Sequence, residues 1–272
     1  MQILDLDTTP TWTLPFLNAL PRRRGAARFE LPVLSGSVNE LPAPLEALVV
    51  ASDLQGRELP HEGRPRLLGT ALAEELEARS LCGDLPPLDR VGVVLAGDLF
   101  AVPGADRRGG YGDVREVWRA FDARARWVVG VGGNHDGFGP PGLAGVERFA
   151  NRGVGHLLDG RRATLDGLAV GGVSGIVGNP RKPMRRRLDD FLERIRGLLK
   201  HELDLLVLHE GPPLPGGARR GHPEIAELLH DAPRDLLVVC GHTHSHDPLV
   251  RVGGRQVLNV DGRVVVLRPA RG

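Results

Sequence analysis

The chain has 272 residues, 41% hydrophobic and 25% charged, a globular composition that excludes a disordered chain. Lys and Arg total 35 against 34 Asp and Glu, a net charge of +1, so no overall field recruits nucleic acid or a membrane. Two cysteines, Cys82 and Cys240, exclude a disulfide framework and offer no C-x-x-C metal spacing.

Residues 1–45 read as a Pro-rich N-terminal extension. Pro10, Pro15, Pro21, Pro32, Pro42 and Pro44 oppose helices and central strands, and Arg22–Arg24 form a basic run. One strand is expected, near Arg28–Leu34, with Trp12, Leu14 and Phe16 packed on the domain that follows. Asp5 and Asp7 stand where a secretion leader carries positive charge, and no run approaches the ~20 apolar residues of a membrane span. A reducing cytoplasm is therefore the expected location.

Residues 46–272 read as a single α/β domain. Ala47–Ala51, Val91–Ala96, Trp127–Val131, Leu203–Leu208 and Leu236–Val239 are short, continuous Val- and Leu-rich runs, the pattern of strands buried on both faces. Arg66–Arg79, Val114–Ala123 and Leu188–Lys200 carry helical spacing, and Asp189 and Asp190 begin the last of these where the helix dipole favours negative charge. Strand–helix alternation argues for a layered α/β fold. Leu249–Val252, Gln256–Val260 and Arg263–Arg268, separated by Gly253-Gly254 and Asp261-Gly262, predict a closing antiparallel meander.

Each buried run is followed by polar residues. These are Asp53-Leu54-Gln55, Gly97-Asp98, Gly133-Asn134-His135-Asp136, His209-Glu210 and Gly241-His242-Thr243-His244. Parallel strands would set all five clusters along one sheet edge, where open α/β folds bind their ligands. Asp53, Gln55, Asp98, Asn134, His209, His242 and His244 are imidazole, carboxylate and amide donors suited to divalent transition ions. Seven such donors suit two ions ~3.5–4 Å apart that share a carboxylate.

In this order, G-D, G-N-H-D and G-H-T-H resemble the calcineurin-like metallophosphoesterases over roughly residues 46–265. The resemblance implies a two-sheet αββα sandwich of mixed sheets flanked by helices. It implies Asp53, Gln55 and His244 on a first metal, Asn134, His209 and His242 on a second, and Asp98 bridging both. His135 would then lie near the substrate phosphate, with Asp136 orienting its other ring nitrogen. The family's first motif is usually D-x-H, whereas here it is Asp53-Leu54-Gln55. The amide oxygen favours Mn or Mg over Zn at the first site; Mn is the expected ion, with Mg, Fe, Zn and Ni as further candidates. The Mn-dependent ADP-ribose/CDP-alcohol diphosphatases of the superfamily share D-x-Q.

The implied activity is a metal-dependent phosphoesterase acting on a small phosphodiester or pyrophosphate-linked, nucleotide-like molecule, through attack of a hydroxide shared by the ions. Phosphomonoesterase and nuclease are the alternatives within the fold. A nuclease needs a basic track several phosphates long, which the charge balance and 4% aromatic content disfavour. A non-catalytic protein-binding scaffold is the alternative of a different class. Arg181, Lys182 and Arg185, in the basic run 181–187, are the candidate substrate-binding cations. Gly104–Gly112, with Arg107, Arg108 and Tyr111, is a second candidate segment, and His61 and His246 are candidates for the cleft rim. His156, His201, His222 and His230 read as structural.

Overall fold

The computed structural model describes residues 1–21, 25–59, 65–107, 109–214 and 221–270; Arg22–Arg24, His61 and Arg108 lie outside the described residues. From the start of the chain run β1 (Ile3–Leu6), β2 (Trp12–Ala19), β3 (Ala26–Val38), β4 (Ala47–Ser52), β5 (Arg57–Glu58) and α1 (Leu68–Leu81). Next come β6 (Val91–Leu95), β7 (Gly112–Asp113), α2 (Arg115–Asp122), β8 (Trp127–Gly130), β9 (Asp136–Gly137), α3 (Leu143–Ala150) and β10 (His156–Leu157). The second half holds β11 (Arg161–Leu165), β12 (Leu168–Val173), β13 (Ile176–Val177), β14 (Arg185–Arg186), α4 (Leu188–Leu199), β15 (Leu205–Glu210) and α5 (Pro223–His230). The chain ends with β16 (Leu237–Gly241), β17 (Leu249–Val252), β18 (Arg255–Asn259) and β19 (Arg263–Pro269).

Two mixed sheets organise the α/β fold. One has nine strands, in the order β10-β8-β6-β4-β19-β3-β2-β5 with β1 on β3, and the other six, in the order β11-β12-β15-β16-β18-β17. Successive strand residues face opposite ways, so each central strand feeds two layers. Val50, Val94 and Val129 of the first sheet share one buried cluster with Val170, Val207 and Val239 of the second. Their neighbours Val49 and Val93 pack with Leu72 of α1 and Val117 and Trp118 of α2. On the other sheet, Leu206 and Val238 pack with Phe191 and Ile195 of α4 and Ile225 of α5. Burying one such Val or Leu contributes about 1.5–3 kcal/mol. Among the described residues no helix is long and apolar enough to cross a membrane.

The five apolar runs form β4, β6, β8, β15 and β16. β4, β6 and β8 are mutually parallel, as are β15 and β16, so within each sheet the polar clusters leave at one edge.

Two expectations need correction. Residues 1–45 hold three strands, β1, β2 and β3, all in the nine-stranded sheet. The prolines are tolerated by position: β5 pairs only with Phe16 and Leu17 of β2, and β19 joins β3 only from Val33 onward, just past Pro32. The closing meander also does not form. β17 and β18 pair antiparallel in the six-stranded sheet, but β19 crosses to the other sheet, parallel to β3 and antiparallel to β4. Its Val264–Leu267 core is buried on both faces, a requirement met between two strands and not at a hairpin edge.

Candidate metal centre

Three of the seven candidate ligands share an unusual backbone state. Asp53, Asp98 and His242, each at or just beyond the end of a buried strand, have φ of 54°, 55° and 60°. Left-handed conformation is costly for residues with a Cβ and persists where the surroundings over-determine it. Here the turn swings each residue off its strand. The flanking glycines leave the necessary space: a Cβ on Gly133 would stand 2.1 Å from Asp98 Oδ1, and one on Gly241 would stand 2.3 Å from Asp53 Oδ2.

Asp98 is the hub. Its Oδ1 accepts the backbone N–H of His135 at 2.9 Å, and its Oδ2 accepts the side-chain amide of Gln55 at 2.8 Å. The same Oδ2 lies 3.3 Å from His209 Nε2 and 3.8 Å from His135 Nε2. Among the described residues, Asp98, His209 and His242 form the Asp/His group whose ligand atoms all lie within 4.8 Å of one another. The rings of His209 and His242 are 5.0 Å apart.

The chemistry of these atoms fits a cation. His209 Nδ1 lies 2.7 Å from the Ala96 carbonyl, which only accepts, so Nδ1 carries the hydrogen. In the neutral ring Nε2 then presents a lone pair, and it is buried without a hydrogen-bond partner. Asn134 Oδ1 is a second buried acceptor without a partner. Such atoms cost free energy unless something positive meets them. A divalent ion held by Asp98, Asn134, His209 and His242 would satisfy both.

The electrostatics agree. Burial opposes a charge on His209, but the Asp98 and Asp53 carboxylates push its pKa up to about 10. Burial also opposes ionisation of Asp98, yet His209 and His135 hold it down to about 2. The site therefore carries carboxylate charge that draws in a proton or a metal.

The three expected first-metal residues have other partners. Asp53 Oδ2 accepts the Ser52 hydroxyl at 2.7 Å and the His242 N–H at 2.9 Å. Burial and then the charge of Asp261 raise the Asp53 pKa well above the usual carboxylate range. Gln55 donates to Asp98, and the half-exposed His244 sets its Nδ1 3.1 Å from Asp261 Oδ2. The ring of His246 lies 5.6 Å from that of His244.

His135 and Asp136 do not contact each other as the sequence reading expects. His135 Nδ1 meets the Gly110 carbonyl. The fully buried Asp136 accepts the Leu99 N–H at 2.7 Å and the Gly133 N–H at 2.9 Å. It ties together the loops that carry Asp98 and Asn134. Burial, then the nearby Asp98 charge, raises its pKa to about 6.

The basic run divides. Arg186 is buried against Asp159 and Asp190, and Arg187 pairs with Asp189. Arg181, Lys182 and Arg185 form no salt bridge among the described residues and line a groove of about 320 Å³ with Pro141, Gly142 and Leu143. No candidate metal ligand lines that groove. One tie to the centre is the Gly142 N–H, which donates to the Tyr111 hydroxyl at 2.9 Å, on the segment that also carries Gly110.

The sequence reading assigned Ser52, Gly110 and Asp261 no holding role, although they hold Asp53, His135 and His244. Asp261 was visible only as part of a turn pair.

No curated protein matches the sequence. The family model described as calcineurin-like phosphoesterase matches residues 48–246, a span that contains all seven candidate ligands. The chain belongs to the calcineurin-like phosphoesterase family, whose chemistry is metal-dependent hydrolysis of phosphoesters.

Proposed function

We propose that this protein is a dinuclear-metal phosphoesterase that hydrolyses a small phosphodiester or pyrophosphate-linked, nucleotide-like substrate in the cytoplasm. The observation that carries the reading is the Asp98–His209–His242 group, together with the buried Asn134 Oδ1, which lacks a partner. Asn134, His209 and His242 would hold one ion, Asp53, Gln55 and His244 the other, and Asp98 both. The two large sheets would be the inner layers of the family's αββα sandwich, with β1, β2 and β3 of residues 1–45 widening one of them. Mn suits a donor set rich in carboxylate and amide oxygen. Two such ions supply a nucleophile near neutral pH and neutralise the phosphoryl oxygens.

The protein's own residues would do the rest. The Gly110 carbonyl accepts from His135 Nδ1 and leaves Nε2 to take up a proton and, in the imidazolium form, to donate it to a phosphoryl oxygen or the leaving group. Asp136 would keep the Asp98 and Asn134 loops in register through two backbone bonds. Arg181, Lys182 and Arg185 would meet a second negative group on the substrate.

The test is hydrolysis of bis-p-nitrophenyl phosphate with Mn, compared with p-nitrophenyl phosphate. Turnover of the diester, abolished in Asp98→Ala, is the expected result. Faster turnover of the monoester would select the phosphomonoesterase, and absence of metal-dependent turnover on either would leave the binding scaffold.

A further inference from the structure

We propose that a groove beside Phe100 receives the organic part of the phosphoester, a planar ring-bearing group of nucleoside size, while the phosphate lies at Asp98. The proposal rests on the phosphoesterase reading above.

Two routes tie the groove to the metal centre. The loops after β4 and β6 touch at Gln55 and Asp98, and touch again where Arg57 meets Ala101 and Val102. There the Arg57 guanidinium donates to the carbonyls of Ala101, at 2.5 Å, and Val102, at 3.3 Å, and lies 6.0 Å from the Phe100 ring centroid. Two residues span at most ~7 Å, so the backbone of Phe100 is within that reach of Asp98. The second route runs through the ring itself. A Cβ on Gly112 would stand 2.2 Å from Phe100, and one on Gly110 would stand 3.3 Å from it. Gly110 is the residue whose carbonyl holds His135. One aromatic side chain thus backs the loop that sets His135 and forms a wall of the groove.

The groove has a volume of about 520 Å³, within the ~300–1,000 Å³ of small-molecule sites. Phe100, Leu67, Pro65 and Pro103 give it apolar walls, and Glu116 and Arg119 of α2 stand at it as charged groups. Other charges there are committed: Arg66 to Glu58 and Glu74, Asp113 to Arg115. Glu116 and Arg119 make no salt bridge among the described residues. Apolar walls with one carboxylate and one guanidinium that make no salt bridge among the described residues suit a flat heterocycle that carries both amino and carbonyl groups.

The experiment compares thymidine 5′-(p-nitrophenyl phosphate) with methyl p-nitrophenyl phosphate. Both release p-nitrophenol, so only the retained group differs. Wild type should prefer the thymidine ester by about tenfold or more in kcat/KM, chiefly through KM. Arg119→Ala, at an exposed helical position, should bring the preference within about threefold, as should Phe100→Ala if it folds. Equal use of the two esters by wild type, or an unchanged preference in Arg119→Ala, overturns the groove assignment. Turnover of neither ester overturns the phosphoesterase reading instead. Calorimetric binding of thymidine 5′-monophosphate then decides the groove: it stands if wild type binds and Arg119→Ala binds at least tenfold more weakly, and falls otherwise.

Discussion

Gln55 donates its side-chain amide to Asp98 Oδ2 at 2.8 Å, the same oxygen that lies 3.3 Å from His209 Nε2. One carboxylate oxygen thus joins the two halves of the candidate centre, and the halves are unequal. Asn134 Oδ1 is a buried acceptor without a partner and His209 Nε2 makes no hydrogen bond beyond its charge contact with Asp98, whereas Asp53, Gln55 and His244 are held by protein groups. Metal binding at the second set satisfies stranded atoms, and at the first set it must displace existing bonds. Calorimetric titration with Mn should therefore show one tight and one weak ion, at least about tenfold apart, or about 1.4 kcal/mol. Gln55→His should tighten the weak step, most visibly with Zn. Two equal steps, or a weak step untouched by the substitution, would refute the asymmetry.

His135 should separate metal binding from turnover. Its backbone N–H, present in any replacement, is what reaches Asp98 Oδ1. Its side chain meets Gly110, with Nε2 3.8 Å from the carboxylate. His135→Ala should keep its metal content, measured by atomic emission, while turnover falls about 10²–10⁴-fold, the usual range for a general acid. Metal loss in step with activity would make His135 a ligand instead.

Asp136 should act through the backbone. Both of its oxygens accept buried N–H groups, one beside Asp98 and one beside Asn134. Asp136→Asn keeps the shape but turns an NH₂ toward one of those donors, leaving a buried N–H unpaired at a cost of about 1–3 kcal/mol. Thermal unfolding should show that loss, and the tight Mn step should weaken with it. Unchanged stability together with a lost pH dependence of kcat would instead place Asp136 in the proton relay with His135.

The strand-and-cluster grammar of the sequence carried most of the centre. A continuous apolar run signals a strand buried on both faces, and polar residues after it must leave at the sheet edge, so the positions of Asp53, Asp98, Asn134, His209 and His242 could be read without coordinates. Partners were a different matter. Gly110 meets His135 across β7, α2 and β8, and Asp261 meets His244 across the β17–β18 hairpin; a carbonyl or a turn aspartate has no local signature of its target. β19 misled because Asp261-Gly262 has the composition of a hairpin turn, while the choice of sheet was decided by the vacancy between β4 and β3. The eight-residue helices α3 and α5 bury few large side chains, whereas the equally short α2 buries Val117, Trp118, Ala120 and Phe121 and so shows its apolar face in the sequence.

The two sheets are also clasped by polar contacts, and these should respond to acid. Asp166, in the turn between β11 and β12 of the six-stranded sheet, accepts from Arg126 at 2.5 and 2.6 Å and from the Trp127 indole at 2.8 Å, at the start of β8 in the other sheet. The Arg126 guanidinium holds the Asp166 carboxyl below the usual range, with burial opposing and the indole N–H assisting. A carboxyl whose folded pKa lies below its unfolded value stabilises the fold above the unfolded pKa, about 4. That contribution disappears as pH falls through the folded value. Asp166→Asn should therefore melt below wild type at pH 7, and the gap should close as both are titrated toward pH 3. Scanning calorimetry at the two pH values checks this. A gap that stays constant would mean that the turn conformation of Asp166, at φ 50°, and not its charge, is what the substitution disturbs.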